Sequence, residues 1–152
     1  LFNNAGVTGG GENQQFAKNM KWELFDVVHR TNVVGPLKMA EAFLPNLQAG
    51  YQKKISNVSS SQGSIGSTKT GTLYIYRSSK AALNMAVASA QHDYPGAILV
   101  AMSPGWVQTD MGGAGAQVAP ADAVTGMLKV IDGLRPQDSG RFIDWCGEAM
   151  VW

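Results

Sequence analysis

A tyrosine and a lysine that could move a proton together, Tyr76 and Lys80, stand four residues apart in a stretch typical of the start of a helix. At about 3.6 residues per turn, this spacing places both side chains on one helix face. A phenol ordinarily ionises near about pH 10, and an ammonium group one turn away favours the phenolate and lowers the phenol's pKa. The pair is therefore a candidate acid and base for a substrate oxygen near neutral pH. Spacing alone is equally compatible with a surface tyrosine above a surface lysine.

Strand-like and helix-like segments alternate along the chain and must position this pair. The predicted strands span residues 1–4, 54–58, 97–102 and 141–145, and the predicted helices span about 20–48, 73–92 and 120–131. The third predicted strand is apolar throughout, as expected for a central parallel strand buried on both faces. The alternation predicts an α/β fold, with a parallel sheet covered by helices on both faces.

Polar or glycine-containing groups follow three of the predicted strands: Asn4-Ala5-Gly6, Ser59-Ser60-Ser61 and Pro104-Gly105. Open parallel sheets bind ligands at the carboxyl ends of their strands, and the helix of Tyr76 starts at the same edge. We therefore expect these groups to form one site, in which the Ser60 hydroxyl could hold a substrate carbonyl beside the phenol. Seen in isolation, the serine run would be a polar loop.

A proline interrupts the first predicted helix. Pro36 has no N–H to donate to the carbonyl of Asn32, four residues earlier, so the helix is expected to kink there. The Asn32 carbonyl would then be free to bind another group, such as water. An ordinary proline kink without a functional role is the alternative.

Composition limits the classes of function. The 152 residues suit one domain, with 45% hydrophobic and 15% charged residues. A net charge of +1 without a basic block gives no indication of nucleic-acid binding, and no apolar run is long enough to span a membrane. Cys146 is the single cysteine, which excludes an internal disulfide and leads us to expect a cytoplasmic protein. We expect no metal site.

The glycines near the start do not form a phosphate-binding fingerprint. Gly9 and Gly11 are followed by Gln14 where a third glycine is needed, and no helix is predicted to open there.

Five motifs, in the same order, resemble those of the short-chain dehydrogenase/reductase family over essentially the whole chain. They are Asn3–Gly6 at the end of the family's fourth strand, Thr31–Pro36 with its asparagine, Asn57–Gly63 with its serine, Tyr76–Lys80 as its Tyr-x-x-x-Lys motif, and Pro104–Met111 as its nicotinamide-side loop. The stretch Gln62–Gly66 and the sixteen-residue step from Ser60 to Tyr76 look most like the family's C-factor and sniffer-type carbonyl reductase branch.

The resemblance implies strands four to seven of a doubly wound Rossmann-type sheet, and an oxidoreductase that transfers a hydride between NADP or NAD, with NADP favoured, and a small carbonyl or alcohol substrate. The implied catalytic residues are Asn32, Ser60, Tyr76 and Lys80, and the implied cofactor-binding residues are Asn4, Ala5, Gly6, Tyr76, Lys80, Pro104, Gly105, Val107 and Thr109. In this scheme Tyr76 is the general acid in reduction, Lys80 lowers its pKa, Ser60 polarises the carbonyl and the Asn32 carbonyl holds a relay water. Pairing of subunits through the helices 20–48 and 73–92 is also expected.

The chain departs from the family where the family binds pyrophosphate. It contains no glycine-rich turn after a first strand, and we expect roughly a βαβαβ unit, on the order of 75 to 90 residues, to lie upstream of Leu1. Residues 1–152 are thus expected to be the catalytic half of a partial NAD(P)-binding domain. Two other hypotheses stay open: a non-catalytic signalling or regulatory protein that keeps the fold, and a fragment that is inactive by itself.

Overall fold

The computed structural model describes residues 1–11 and 15–152, so Gln14, where the glycine pattern fails, lies outside the described residues. The strands and α-helices in chain order are β1 (Phe2–Asn3), α1 (Glu23–His29), α2 (Gly35–Ala42), α3 (Leu44–Ala49), β2 (Lys54–Val58), α4 (Tyr74–Ala90), β3 (Ile98–Ser103), α5 (Pro120–Gly133) and β4 (Arg141–Asp144). A π-helical turn, Arg30–Val34, joins α1 to α2, and short 3₁₀ turns cover Ser61–Gly63 and Pro136–Asp138.

The four described strands form one parallel sheet in the order β1-β2-β3-β4. Strand β2 is the central partner of β1 and β3, with Phe2 opposite Ser56 and Ile98 opposite Lys54. In the described chain β1 pairs on one side only and is an edge. The predicted parallel α/β architecture is confirmed.

Two apolar clusters pack on opposite faces of the sheet because successive residues of β3 point to opposite sides. All six residues of β3 are buried. Leu99 and Ala101 join the cluster with residues of α2, α3 and α4, whereas Ile98, Val100 and Met102 join the cluster with Met127 of α5. Helices therefore cover both faces, as predicted from the continuous apolar run.

The helix predicted over 20–48 is divided, so the prediction of one long kinked helix is wrong in detail. It begins at Glu23, widens into the π-turn before Pro36, and is interrupted at Phe43, where ψ is 6°. The π-turn arises where Pro36 offers no N–H, and the Gly35 N–H bonds back five residues to Arg30. The second interruption precedes Pro45, whose ring is incompatible with a helix interior.

Helix α4 begins abruptly. The preceding residue, Leu73, has the left-handed backbone conformation, with φ 54°, and its side chain caps no N–H of the helix. Among the described helices, α4 included, none combines the length and hydropathy that a membrane crossing requires.

Candidate active site

The predicted tyrosine and lysine lie together near the carboxyl end of β2. Tyr76 is 8% exposed and Lys80 is 3% exposed, which rules out the surface pair that spacing alone allowed. The Lys80 Nζ lies 5.8 Å from the centroid of the Tyr76 ring and donates a 2.8 Å hydrogen bond to the carbonyl of Val58. The end of β2 therefore fixes where the ammonium group sits beside the phenol.

The structure contradicts the expectation that Lys80 lowers the pKa of Tyr76. Burial raises the pKa of Tyr76, and a hydrogen bond from the Ser60 side chain opposes that rise. Desolvation outweighs the other influences because a buried phenolate loses its hydration. In this state the phenol keeps its proton at neutral pH.

Burial also acts on the lysine. It lowers the pKa of Lys80 from 10.5 to about 8, because the ammonium form is the one that loses solvation. Lys80 can therefore gain or lose its proton within the pH range that proteins encounter. A group that binds beside Lys80 would also change the fraction of this lysine that is charged.

Ser60 is held against Tyr76 by the turn that follows it. The Ser60 Oγ accepts a 3.1 Å hydrogen bond from the Gln62 N–H, and the Ser60 side chain lies close enough to Tyr76 to act on the pKa of the phenol. The turn can approach α4 closely because Gly63 has no side chain: a Cβ there would lie 2.8 Å from both the carbonyl carbon and the Cβ of Lys80. Packing of this glycine thus sets the distance between the serine and the tyrosine.

Asn32 is 1% exposed and uses its side chain to hold a loop. Its Oδ1 accepts from the Val7 N–H at 2.9 Å, and its Nδ2 donates to the Val7 carbonyl and to the Ser79 Oγ, each at 2.9 Å. Ser79 in turn donates to the Tyr76 carbonyl at 2.7 Å. The asparagine therefore links the loop after β1 to the helix of the tyrosine.

The residues after β1 line the same region. A Cβ on Gly6 would lie 3.4 Å from the Lys80 Nζ and 3.5 Å from the Asn32 Oδ1, so this glycine borders the lysine directly. Asn4 and Ala5 are exposed, with side chains accessible to a ligand. Asn3 is buried instead and donates to the Asn57 Oδ1 at 2.8 Å, which ties β1 to β2.

The loop after β3 reaches the same edge of the sheet. Gly105 has φ 80°, and a Cβ there would lie 2.9 Å from the Trp145 Nε1, so glycine is required for both conformation and space. Val107 pairs with Val118, and the exposed Thr109 accepts from the Gly112 N–H at 3.2 Å. Pro104 is half-buried beside them.

Two supporting residues were missed by sequence reasoning. Asn84 accepts from the Ser59 Oγ at 2.6 Å and donates to the Gly63 carbonyl at 3.3 Å. Ser103 accepts from the Ser61 N–H at 3.2 Å and so links the serine turn to the end of β3. A signal for Asn84 was available, because it lies four residues after Lys80 on the same helix face.

The chain can now be compared with known proteins. Residues 1–118 match the family of short chain dehydrogenases. The chain is 44% identical over 161 residues to C-signal of Myxococcus xanthus, covering 100% of this chain and 91% of that protein. It is 36% identical over 137 residues to the 1-hydroxy-2-glutathionyl-2-methyl-3-butene dehydrogenase of Rhodococcus sp. strain AD45, covering 84% of this chain and 60% of that enzyme.

Solved structures give the same result. An NADPH-bound carbonyl reductase from chicken fatty liver superposes with a TM-score of 0.90 at 38% identity, and the carbonyl reductase Sniffer of D. melanogaster with 0.92 at 32%. Each match covers 100% of this chain and 65% of the reductase. The chain thus spans nearly all of C-signal but less than two thirds of the dehydrogenase and the two reductases.

Proposed function

The chain belongs to the short-chain dehydrogenase family, and from that premise we propose that its protein transfers a hydride between a nicotinamide cofactor and a small carbonyl or alcohol substrate. The observation that carries the proposal is the buried phenol of Tyr76 beside the Lys80 ammonium group, with the Ser60 side chain close enough to the phenol to oppose the rise in its pKa. Protonated and shielded from water, it has the state that a general acid requires.

The residues present fit a nicotinamide nucleotide at the carboxyl edge of the sheet. Gly6 leaves room directly beside the Lys80 Nζ, and Gly105 opens the loop after β3 where any side chain would collide with Trp145. We assign Asn4, Ala5, Gly6, Tyr76, Lys80, Pro104, Gly105, Val107 and Thr109 to holding it. When bound, it supplies or accepts the hydride. NADP is favoured, because the related chicken reductase carries NADPH.

In carbonyl reduction the phenol of Tyr76 donates its proton to the substrate oxygen, and the Ser60 hydroxyl holds that oxygen in place. As the phenolate forms, the charge of Lys80 stabilises it, while the single hydroxyl proton of Ser60 stays on the substrate oxygen. Asn32 contributes by its side chain, which fixes Val7 and Ser79 around the site, and we assign its carbonyl to holding a relay water.

The loop after β3, which we assign to the substrate side of the site, indicates an open cleft. Trp106, within the Pro104–Thr109 segment, is 55% exposed, and Met111, just after it, is 52% exposed, so both offer apolar surface there. Such a surface suits a small apolar carbonyl compound rather than a highly charged one.

Tyr76→Phe in the full-length protein tests the assignment. We expect coenzyme-dependent reduction of a carbonyl substrate to fall by about 10²- to 10⁴-fold, because the proton donor is removed while the buried ring remains. Tyr74→Phe is the matched control, since Tyr74 is 43% exposed and the residue four positions after it is Ser78 and not a lysine. Turnover by the Tyr76 variant within a few-fold of the parent would refute the role, provided that circular dichroism shows both variants folded.

A signalling function without turnover is the second candidate. The chain covers 91% of C-signal, a relative whose name denotes a signal. This match does not involve the part of the reductases that has no counterpart in this chain. This candidate predicts that Tyr76→Phe preserves biological activity in a cell-based assay, whereas the enzymatic proposal predicts its loss. The buried Tyr76 and Lys80 favour the enzyme, because a signalling surface has no need of a desolvated ammonium group.

A further inference from the structure

We propose that Gln15, which lies outside all the motifs of the family resemblance, is a positioning residue for Tyr76. The inference rests on the proposed function of Tyr76 and adds a residue to it. Gln15 stands 61 positions before the tyrosine, is 0% exposed, and places its side chain between the loop after β1 and the first turn of α4.

The first turn of α4 needs partners from elsewhere in the chain. The opening N–H groups of an α-helix have no acceptor inside the helix, and a preceding Ser, Thr, Asn or Asp usually supplies one. Here the preceding residue is Leu73, whose side chain supplies none. A buried N–H without an acceptor is costly, so an acceptor from another segment is strongly favoured.

Gln15 supplies two such acceptors. Its Oε1 accepts from the Tyr76 N–H at 3.1 Å, and its main-chain carbonyl accepts from the Tyr74 N–H at 3.4 Å. Its Nε2 donates to the Thr8 carbonyl at 2.7 Å and to the Gly10 carbonyl at 3.4 Å. One amide therefore joins the backbone of the proposed catalytic residue to the loop that begins beside Gly6.

The backbone of Tyr76 is then held on both sides. Gln15 binds its N–H, and Ser79, which is itself bonded to Asn32, binds its carbonyl. Both anchors lead to adjacent residues of one loop, since Asn32 binds Val7 and Gln15 binds Thr8. The geometry points to a frame that sets where the phenol meets Ser60, and displacement of a reacting group by about 1 Å can cost about 100-fold in rate.

Two substitutions in the full-length protein test the role. Gln15→Leu keeps the bulk and removes all three side-chain hydrogen bonds, and we expect kcat to fall by about 10- to 100-fold with KM for the carbonyl changed by less than about threefold. Gln15→Glu is the conservative variant. In its protonated form it can accept from Tyr76 and donate to Thr8, but the carboxylate can only accept.

The pH profile separates positioning from general stability. Relative to the parent at each pH, turnover by Gln15→Glu should approach the parent's in acid and fall toward that of Gln15→Leu as the new carboxyl group ionises. The exposed Gln48 provides the control, and Gln48→Glu should follow the parent throughout. A Gln15→Glu profile parallel to the parent's, or full activity of Gln15→Leu, would overturn the proposal.

Amide hydrogen exchange provides a readout that needs no turnover. Gln15→Leu should speed exchange at the Tyr76 N–H while the amides of Leu83 and Val87, in the middle of α4, keep their protection. Uniform loss along α4 would show a merely structural role, and unchanged exchange at Tyr76 would refute the contact. If the parent itself proved inactive, the proposed function would fail, and exchange at Tyr76 alone would decide whether Gln15 positions it.

Discussion

At the scale of single residues, burial governs the chemistry of the site more than the proximity of charges does. Tyr76 and Lys80 are neighbours on one helix face, yet the dominant influence on each pKa is desolvation, which raises the pKa of the phenol and lowers that of the ammonium group. Both shifts favour the uncharged forms. The folded protein therefore maintains Lys80 as a charged group at neutral pH only at a cost in stability.

That cost predicts how stability changes with pH. The pKa of Lys80 is lowered from 10.5 to about 8 on folding, so between these values the unfolded chain binds more protons and stability rises with pH. Below about pH 8 the full penalty, about 3 kcal/mol, is present. We expect the free energy of unfolding to gain about 2 kcal/mol between about pH 7.5 and 9.5, and Lys80→Met to abolish this gain.

Chemical denaturation of the parent and Lys80→Met across that pH range measures the effect. Lys38→Met is the control, because Lys38 is exposed on α2 and its replacement should leave the gain intact. Retention of the full gain by Lys80→Met would show that another group titrates. The partly buried amino group of Leu1, whose pKa is also lowered by burial, is present in all three proteins and cancels in the comparison.

At the scale of elements, the site depends on how closely the serine turn packs on α4. Gly63 allows the approach, and Asn84 of α4 maintains it by bonding to Ser59 and to the Gly63 carbonyl. The contact joins two elements that would otherwise meet only through side chains. Ser60 thus reaches Tyr76 because backbone packs directly on backbone.

Gly63→Ala should separate these elements. Its Cβ would meet the Lys80 carbonyl carbon and Cβ at 2.8 Å and the Ala81 nitrogen at 3.1 Å, and backbone atoms cannot move aside individually. We expect a loss of about 1–3 kcal/mol in the free energy of unfolding, as for an overpacked core. Denaturant unfolding measures it. Gly133→Ala at the end of α5, where a Cβ meets nothing within 4 Å, should be neutral or stabilising; equal losses in both variants would contradict the packing argument.

At the scale of the whole molecule, the sheet ends at a short strand. Strand β1 contains only Phe2 and Asn3, and in the described chain it pairs with β2 alone while Phe2 stays 44% exposed. An edge of this kind presents free backbone groups. The reductases of chicken and D. melanogaster, of which this chain covers 65%, contain further structure without a counterpart in these 152 residues.

Binding of the whole cofactor should therefore require more than this chain. Within residues 1–11 and 15–152, which the structure describes, no glycine-rich turn stands at a helix N-terminus, and such a turn is the element that binds pyrophosphate in dinucleotide-binding folds. We expect calorimetric titration of NADPH into the 152-residue chain to show weaker than micromolar affinity. A protein extended upstream, titrated with NADPH and NADH, should bind at least one of them tightly. Micromolar binding by the short chain would contradict this prediction.

The sequence by itself determined the order and type of the elements. Strand β2 spans the predicted residues 54–58, β3 and α5 differ from prediction by one or two residues, and the motifs identify the family, because apolar periodicity and glycine or proline turns are local properties. The division of the first long helix at Phe43 was missed although Pro45 gives a local signal. The burial of individual apolar residues in this helical region could not be predicted locally, because it depends on which elements pack against them. Val28 is buried, whereas Val27 and Val34 are 50% and 42% exposed.

Only the tertiary structure decided the state of the groups in the site. Spacing placed Tyr76 beside Lys80, but the direction of each pKa shift depends on how much water the surrounding elements exclude, and that requires the packed fold. The contact of Gln15 with Tyr76 is likewise invisible in sequence, since 61 residues separate the two and no periodicity connects them. An acceptor for a helix N-terminus can come from any segment that folding brings within about 3 Å, and only the folded chain specifies which one does.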